Sequence, residues 1–132
     1  MLHNIRKIIL SSFLLLLLSK PALAQKDEFI IVVAAEGTEI TSQISQVAAR
    51  APYFLFFDKQ NNLLQAEVNP YVNSTGGAGP KSAIFLAEKK INLIIAGQFG
   101  HKMLDALKHH TIKTVKRQGS VIDAVKEQNH AQ

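Results

Sequence analysis

The chain of 132 residues contains no Cys and no Trp. Without Cys there is no disulfide framework, no thiolate metal site, no lipid anchor through a Cys and no cysteine nucleophile. Any chemistry must therefore use His, carboxylates, hydroxyls or backbone. A long spanning segment is missing as well: the apolar run at residues 8–18 covers about 11 positions, short of the roughly 20 that a membrane helix needs. At this length one domain is expected.

What is present begins with an export signature. Residues 1–24 (MLHNIRKIILSSFLLLLLSKPALA) combine Arg6 and Lys7, the short apolar run, and Ala22 and Ala24 in an A-x-A arrangement. This is the pattern of a secretory signal peptide, with cleavage expected before Gln25 and a periplasmic or secreted destination. No stable membrane insertion is expected once it is removed. Arg6-Lys7 is not a twin-arginine pair, so the general secretory route is expected, with any cofactor acquired after export. Removal takes away three of the 15 basic residues and no acid, which leaves 12 against 10 and lowers the net charge from +5 to +2. Most of the basicity belongs to the export signal, so nucleic acid is not expected as a partner.

The remaining 108 residues, 25–132, suffice for one core that buries roughly 65% of the unfolded chain's surface. Residues 29–35 (FIIVVAA) form a continuous apolar, β-branched run, as expected of a central strand buried on both faces. Residues 53–58 (YFLFFD) and 63–68 (LLQAEV) flank the polar turn Lys59-Gln60-Asn61-Asn62 and read as a hairpin, its second strand near an edge. Helical spacing follows Pro80, with Ala83, Ile84, Leu86 and Ala87 expected inward; residues 92–96 (NLIIA) form a buried strand. Residues 101–110 form a helix with Met103, Leu104 and Leu107 inward, residues 112–115 a short strand, and Ser120 caps a last helix. Residues 36–51 read as a loop with a short helical turn. The order β-β-β-α-β-α-β-α predicts an α/β fold: a mixed sheet with helices on its faces.

Several pieces in this order match a known pattern. They are Glu36-Gly37 after the first strand, Arg50-Ala51-Pro52-Tyr53-Phe54 before the hairpin, Gly76-Gly77-Ala78-Gly79 before the first helix, and Leu93-Ile94-Ile95-Ala96-Gly97 followed by Phe99-Gly100 and Leu104-Asp105-Ala106-Leu107. From about residue 29 to residue 127 the sequence resembles the dinitrogenase iron-molybdenum cofactor biosynthesis family, the domain of NifX-type proteins and of the C-terminal part of NifB-type proteins. The resemblance implies a ribonuclease H-like α/β fold of five strands in the order 3-2-1-4-5. It also implies binding of an iron-sulfur or iron-molybdenum type cluster. Without Cys, ligation of such a cluster falls to His or to backbone and hydrogen-bond contacts.

In that topology strands 1, 3 and 4 run the same way, and the loops after them are expected to converge. Ligands of open α/β sheets bind beyond the carboxyl ends of the strands, where helix N-termini favour an anion. The candidate binding residues are Glu36 and Gly37 after strand 1, Arg50 before strand 2 at the same edge, Gly76, Gly77 and Gly79 after strand 3, and Gln98 and Gly100 after strand 4. The glycines allow close backbone approach and positive φ, although residues 69–80 also read as a flexible connection. Arg50 could contact an anion or form a surface salt bridge. His101, at a helix start beside Gly100, is the candidate metal ligand; the alternative is an exposed residue without a role. His109-His110 falls at the helix C-terminus, where His satisfies carbonyls and the dipole.

Two site classes are excluded. Residues 79–82 (Gly-Pro-Lys-Ser) are not a P-loop, because Pro80 interrupts the Gly-Lys-Ser order. A ribonuclease H-like nuclease needs carboxylates on strand 1 and after strand 4, but residues 29–35 and 97–100 contain none. Asp58, at a strand end before a turn, is expected to hydrogen-bond locally. The expected function is a non-catalytic carrier of an anionic metal cluster or small metal complex. The alternatives are an interaction domain that has lost the metal site and, third, a hydrolase.

Overall fold

The computed structural model describes residues 28–132; the expected signal segment lies outside them. The strands are β1 (Ile31–Ala35), β2 (Tyr53–Phe57), β3 (Leu63–Val68), β4 (Leu93–Ala96) and β5 (Lys113–Lys116), and the helices are α1 (Ala78–Glu88), α2 (His101–His109) and α3 (Val121–His130). They form one five-stranded sheet in the order β3-β2-β1-β4-β5. β1 pairs antiparallel with β2 and parallel with β4, β4 pairs parallel with β5, and β2 pairs antiparallel with β3. Apart from β2, therefore, all strands end at the same edge of the sheet.

Strand polarity follows from which faces are covered. All five residues of β1 are buried, since alternate side chains reach different layers. Val32 and Ala34 join Phe54, Phe56, Ile94, Leu86, Met103 and Leu107 beneath α1 and α2. Ile31, Val33 and Ala35 join Leu55, Phe57, Leu93, Ile95, Val121 and Val125 beneath α3. β3 closes one edge and is largely exposed, as its mixed pattern predicts. Among the described residues no helix is long and apolar enough to cross a membrane.

The hairpin turn shows how a polar side chain fixes the chain locally. Asp58 is buried, and its Oδ1 accepts from the N–H groups of Gln60 and Asn62, each at 2.9 Å, while Oδ2 accepts from Asn62 Nδ2 at 3.0 Å. Burial pushes its pKa up, but the three hydrogen bonds from Asn62 and Gln60 together outweigh it and hold the carboxyl below its ordinary value. A carboxylate lowered on folding contributes stability that is complete above the unfolded value of about pH 4 and is lost as pH falls through the folded value. Asp58→Ala is expected to cost about 2 kcal/mol at pH 7. Urea titrations at pH 7 and pH 3 should show the difference between variant and wild type shrinking in acid.

Candidate functional site

Between the carboxyl ends of β1 and β4 the chain lays a strap. Ser45 N–H donates to Ala34 O (2.8 Å), Gly97 N–H to Ser45 O (2.9 Å) and Ala48 N–H to Gln98 O (3.0 Å). Isolated bridges join Ile44 to Ala35 and Val47 to Gln98. A single turn of 3₁₀ helix, Ala48–Arg50, follows and leads into β2. This part of the segment read as a loop is built by backbone pairing, which leaves no periodic trace in the sequence.

The strap divides the expected site. Glu36 N–H donates to Gln43 O, Val121 N–H to Ser42 O and Ile122 N–H to Ile40 O, so Glu36 and Gly37 lie on the α3 side of the sheet. Gln98 is exposed beside the strap, with its carbonyl committed to Ala48. Gly76 is exposed, and an added Cβ there would meet nothing within 4 Å. These four residues do not line the groove that forms on the other side. Arg50, Gly77, Gly79, Gly100 and His101 do, together with Val47, Lys102 and Met103, around a concavity of about 310 Å³.

Each of these residues has a local reason to be there. Gly77 is the N-cap of α1 at φ 69°, a backbone conformation that side chains disfavour. Gly79 sits where α1 meets α2: a Cβ would lie 2.9 Å from Met103 Cβ and 3.3 Å from Met103 N. Its task is to let the two helix starts touch. Gly79→Ala is expected to lower stability by about 1–2 kcal/mol, seen as a lower urea midpoint with an unchanged slope. Gly76→Ala should leave the midpoint in place.

Among the described residues Arg50 forms no salt bridge. Its Nη1 donates to the carbonyls of Val72 (3.1 Å) and Ser74 (2.6 Å), and so holds the β3–α1 loop against the strap. Asn69, which no pattern in the sequence singles out, anchors the same loop. Its side chain is buried; Nδ2 donates to Ala49 O and Ala51 O at 3.0 Å each, and Oδ1 accepts from Tyr71 N–H at 3.0 Å. An Asn before a proline reads as an ordinary turn residue, and only the buried carbonyls of residues 49–51 reveal the difference.

The electrostatics of the groove come from helix ends. α1 starts at Gly77 and α2 at Gly100; neither has a side-chain cap or an acidic residue in its first turn. Helical geometry leaves the first amides of each helix without an intrahelical acceptor, here Ala78 and Gly79 in α1 and His101, Lys102 and Met103 in α2. Among the described residues none of these amides donates a hydrogen bond. α3 is the contrast: Val121 and Ile122 donate to the strap side, Asp123 N–H reaches Ser120 Oγ at 3.5 Å, and Asp123 complements the dipole. None of the residues lining the groove is acidic, and Arg50 and Lys102 bring positive charge.

His101 is exposed, with Nε2 3.4 Å from Asp105 Oδ2 one turn along α2. Among the described residues no group of three or more His, Asp or Glu side chains could enclose a metal ion. A bare divalent cation does not fit this donor set. An anion does, because free amides, helix dipoles and two cations face it.

The family model for dinitrogenase iron-molybdenum cofactor proteins matches residues 29–130. The chain belongs to that family. The apo form of the orange protein from Desulfovibrio gigas has a similar structure, with a TM-score of 0.73, 24% identity and coverage of 82% of this chain and 92% of that one. A protein from Thermotoga described as a NifB candidate is similar at a TM-score of 0.66 and 25% identity, over 77% and 88% of the two chains. A dinitrogenase candidate from Methanocaldococcus jannaschii has a TM-score of 0.57 at 12% identity, over 80% and 92%. No curated protein sequence matches the chain.

Proposed function

We propose that this member of the family is a non-catalytic carrier that holds an anionic metal-sulfur cluster as cargo in the groove between the starts of α1 and α2. The observation that carries the reading is the contrast between helix ends. α3 has its first amides satisfied, whereas the two helices bordering the groove leave theirs open and uncapped. Anions bind at such ends through amide hydrogen bonds and the dipole. Because the chain has no thiolate to complete a metal's coordination, the cargo must be a preformed iron-sulfur or iron-molybdenum type anion that brings its own terminal ligands and is held by hydrogen bonds and charge. His101 supplies the one imidazole among the lining residues, Lys102 supplies charge, and Arg50 keeps the loop in place.

The same reading makes the protein exported, with residues 1–24 as signal and the cargo acquired in the periplasm or outside the cell. We also read the sheet as ribonuclease H-like, as the family resemblance implies, with the nuclease carboxylates absent from the positions that would need them. Protein purified with and without oxygen exclusion and analysed by native mass spectrometry and metal content is expected to carry a metal-sulfur mass when oxygen is excluded. The double substitution His101→Ala with Lys102→Glu should lower occupancy at least about tenfold. Metal-free protein under both conditions, unable to take up iron-sulfur or molybdenum-sulfur anions, would sink the proposal.

A further inference from the structure

The second concavity of the molecule meets the groove at His101, which lines both, and extends from there along the free edge of the sheet. β5 bonds to β4 through one side only: Lys113 N–H donates to Asn92 O and Arg117 N–H to Ala96 O. In a parallel pair these groups alternate, so the amides and carbonyls of Thr114 and Lys116 face outward. A hollow of about 610 Å³ runs along this edge, walled by Leu104 and Lys108 of α2 on one side and by Gln128 of α3 on the other. Ile112 and Val115 give it an apolar floor, and Lys113 lines it on the α3 side. Unpaired backbone flanked by two helices is the setting in which an extended peptide adds a strand.

Charge decides which strand fits. Lys108 stands on the α2 side of the edge, Lys113 pairs with Leu93 on the α3 side, and Lys116 follows on the same strand. Asp105 is the one acidic residue lining the hollow, and against Lys108 and Lys113 it leaves the lining net positive. A second copy of this edge would set lysines against lysines, which opposes self-pairing. We infer that β5 and the hollow beside it form a docking site for an extended, acidic and apolar segment of a partner protein, added to the sheet as a sixth strand. Main-chain bonds to Thr114 and Lys116 provide attachment, while Lys108 and Lys113 read one acid on each face. The inference is independent of the cargo, and metal-free protein tests it.

The probe is the blocked peptide Ser-Glu-Glu-Val-Val-Ser, with Ser-Lys-Lys-Val-Val-Ser as its control, followed by fluorescence anisotropy and amide exchange on the full chain. The acidic probe should bind at least about tenfold more tightly than the control, and exchange at Thr114 and Lys116 should slow. Lys108→Glu with Lys113→Glu, both at exposed positions, should invert the preference. Thr114→Pro, which removes one outward amide, should abolish binding. Equal affinity for both peptides, or protection elsewhere than β5, overturns the inference, as does dimerisation of the free protein through this edge.

Discussion

Replacing Asn69 by Ala is expected to cost about 3 kcal/mol and to lower the melting temperature by roughly 10–25 °C. The side chain is 1% exposed. Its loss leaves the carbonyls of Ala49 and Ala51 and the amide of Tyr71 without the partners they have at 3.0 Å. Each deserted group carries a desolvation cost, which makes the change worse than the loss of three average hydrogen bonds. Asn69→Asp should be no better, because a carboxylate cannot donate to two carbonyls. Differential scanning calorimetry checks the magnitude, and faster amide exchange confined at first to residues 69–77 checks the mechanism. An unchanged melting temperature would contradict this role.

The second large effect is expected at Gly97, where Ala should cost about 2–3 kcal/mol. An added Cβ would lie 2.7 Å from Gln46 O, 2.9 Å from Gln46 Cα and 3.1 Å from its carbonyl carbon. All three are backbone atoms, so no side chain can swing aside. Relief requires the strap to move off the end of β4, which weakens the bonds from Gly97 N–H to Ser45 O and from Ala48 N–H to Gln98 O. Because the strap carries Val47 and Arg50 into the groove wall, Gly97→Ala should disturb the groove as well as stability. Denaturant midpoints with amide shifts at residues 45–50 measure both consequences.

The parts of this protein that were legible in its sequence are those where one periodic signal dominates. The apolar run at residues 29–35 marked the central strand, the Lys59–Asn62 turn marked the hairpin, and Ser120 marked the start of α3; strand order came from the family resemblance. Within α1 the reading was less accurate. Ile84 is 48% exposed whereas Ala78 and Ser82 are buried, because small residues face the close contact with α2 and apolar character alone does not reveal that face. The strap was illegible for a different reason. Its position comes from isolated backbone bridges, and it sets Glu36 and Gly37 apart from the glycines they were expected to join. Arg50 and Asn69 act on carbonyl groups, which every residue possesses, so sequence carries no mark of those partners. The groove itself was half legible: its glycines and His101 stood out, while the lack of caps mattered only once α3 could be compared.

Cargo binding depends on the open amides at the starts of α1 and α2, and a titration with tetrathiomolybdate, a dianionic molybdenum-sulfur unit, addresses them directly. Followed by amide chemical shifts under oxygen exclusion, it should move Ala78, Gly79, His101, Lys102 and Met103 together, with one saturating affinity that weakens as salt is raised. Val121, Ile122 and Asp123, at the satisfied start of α3, should stay where they are. Shifts spread equally over the three helix starts, or none at α1 and α2, would contradict the carrier reading.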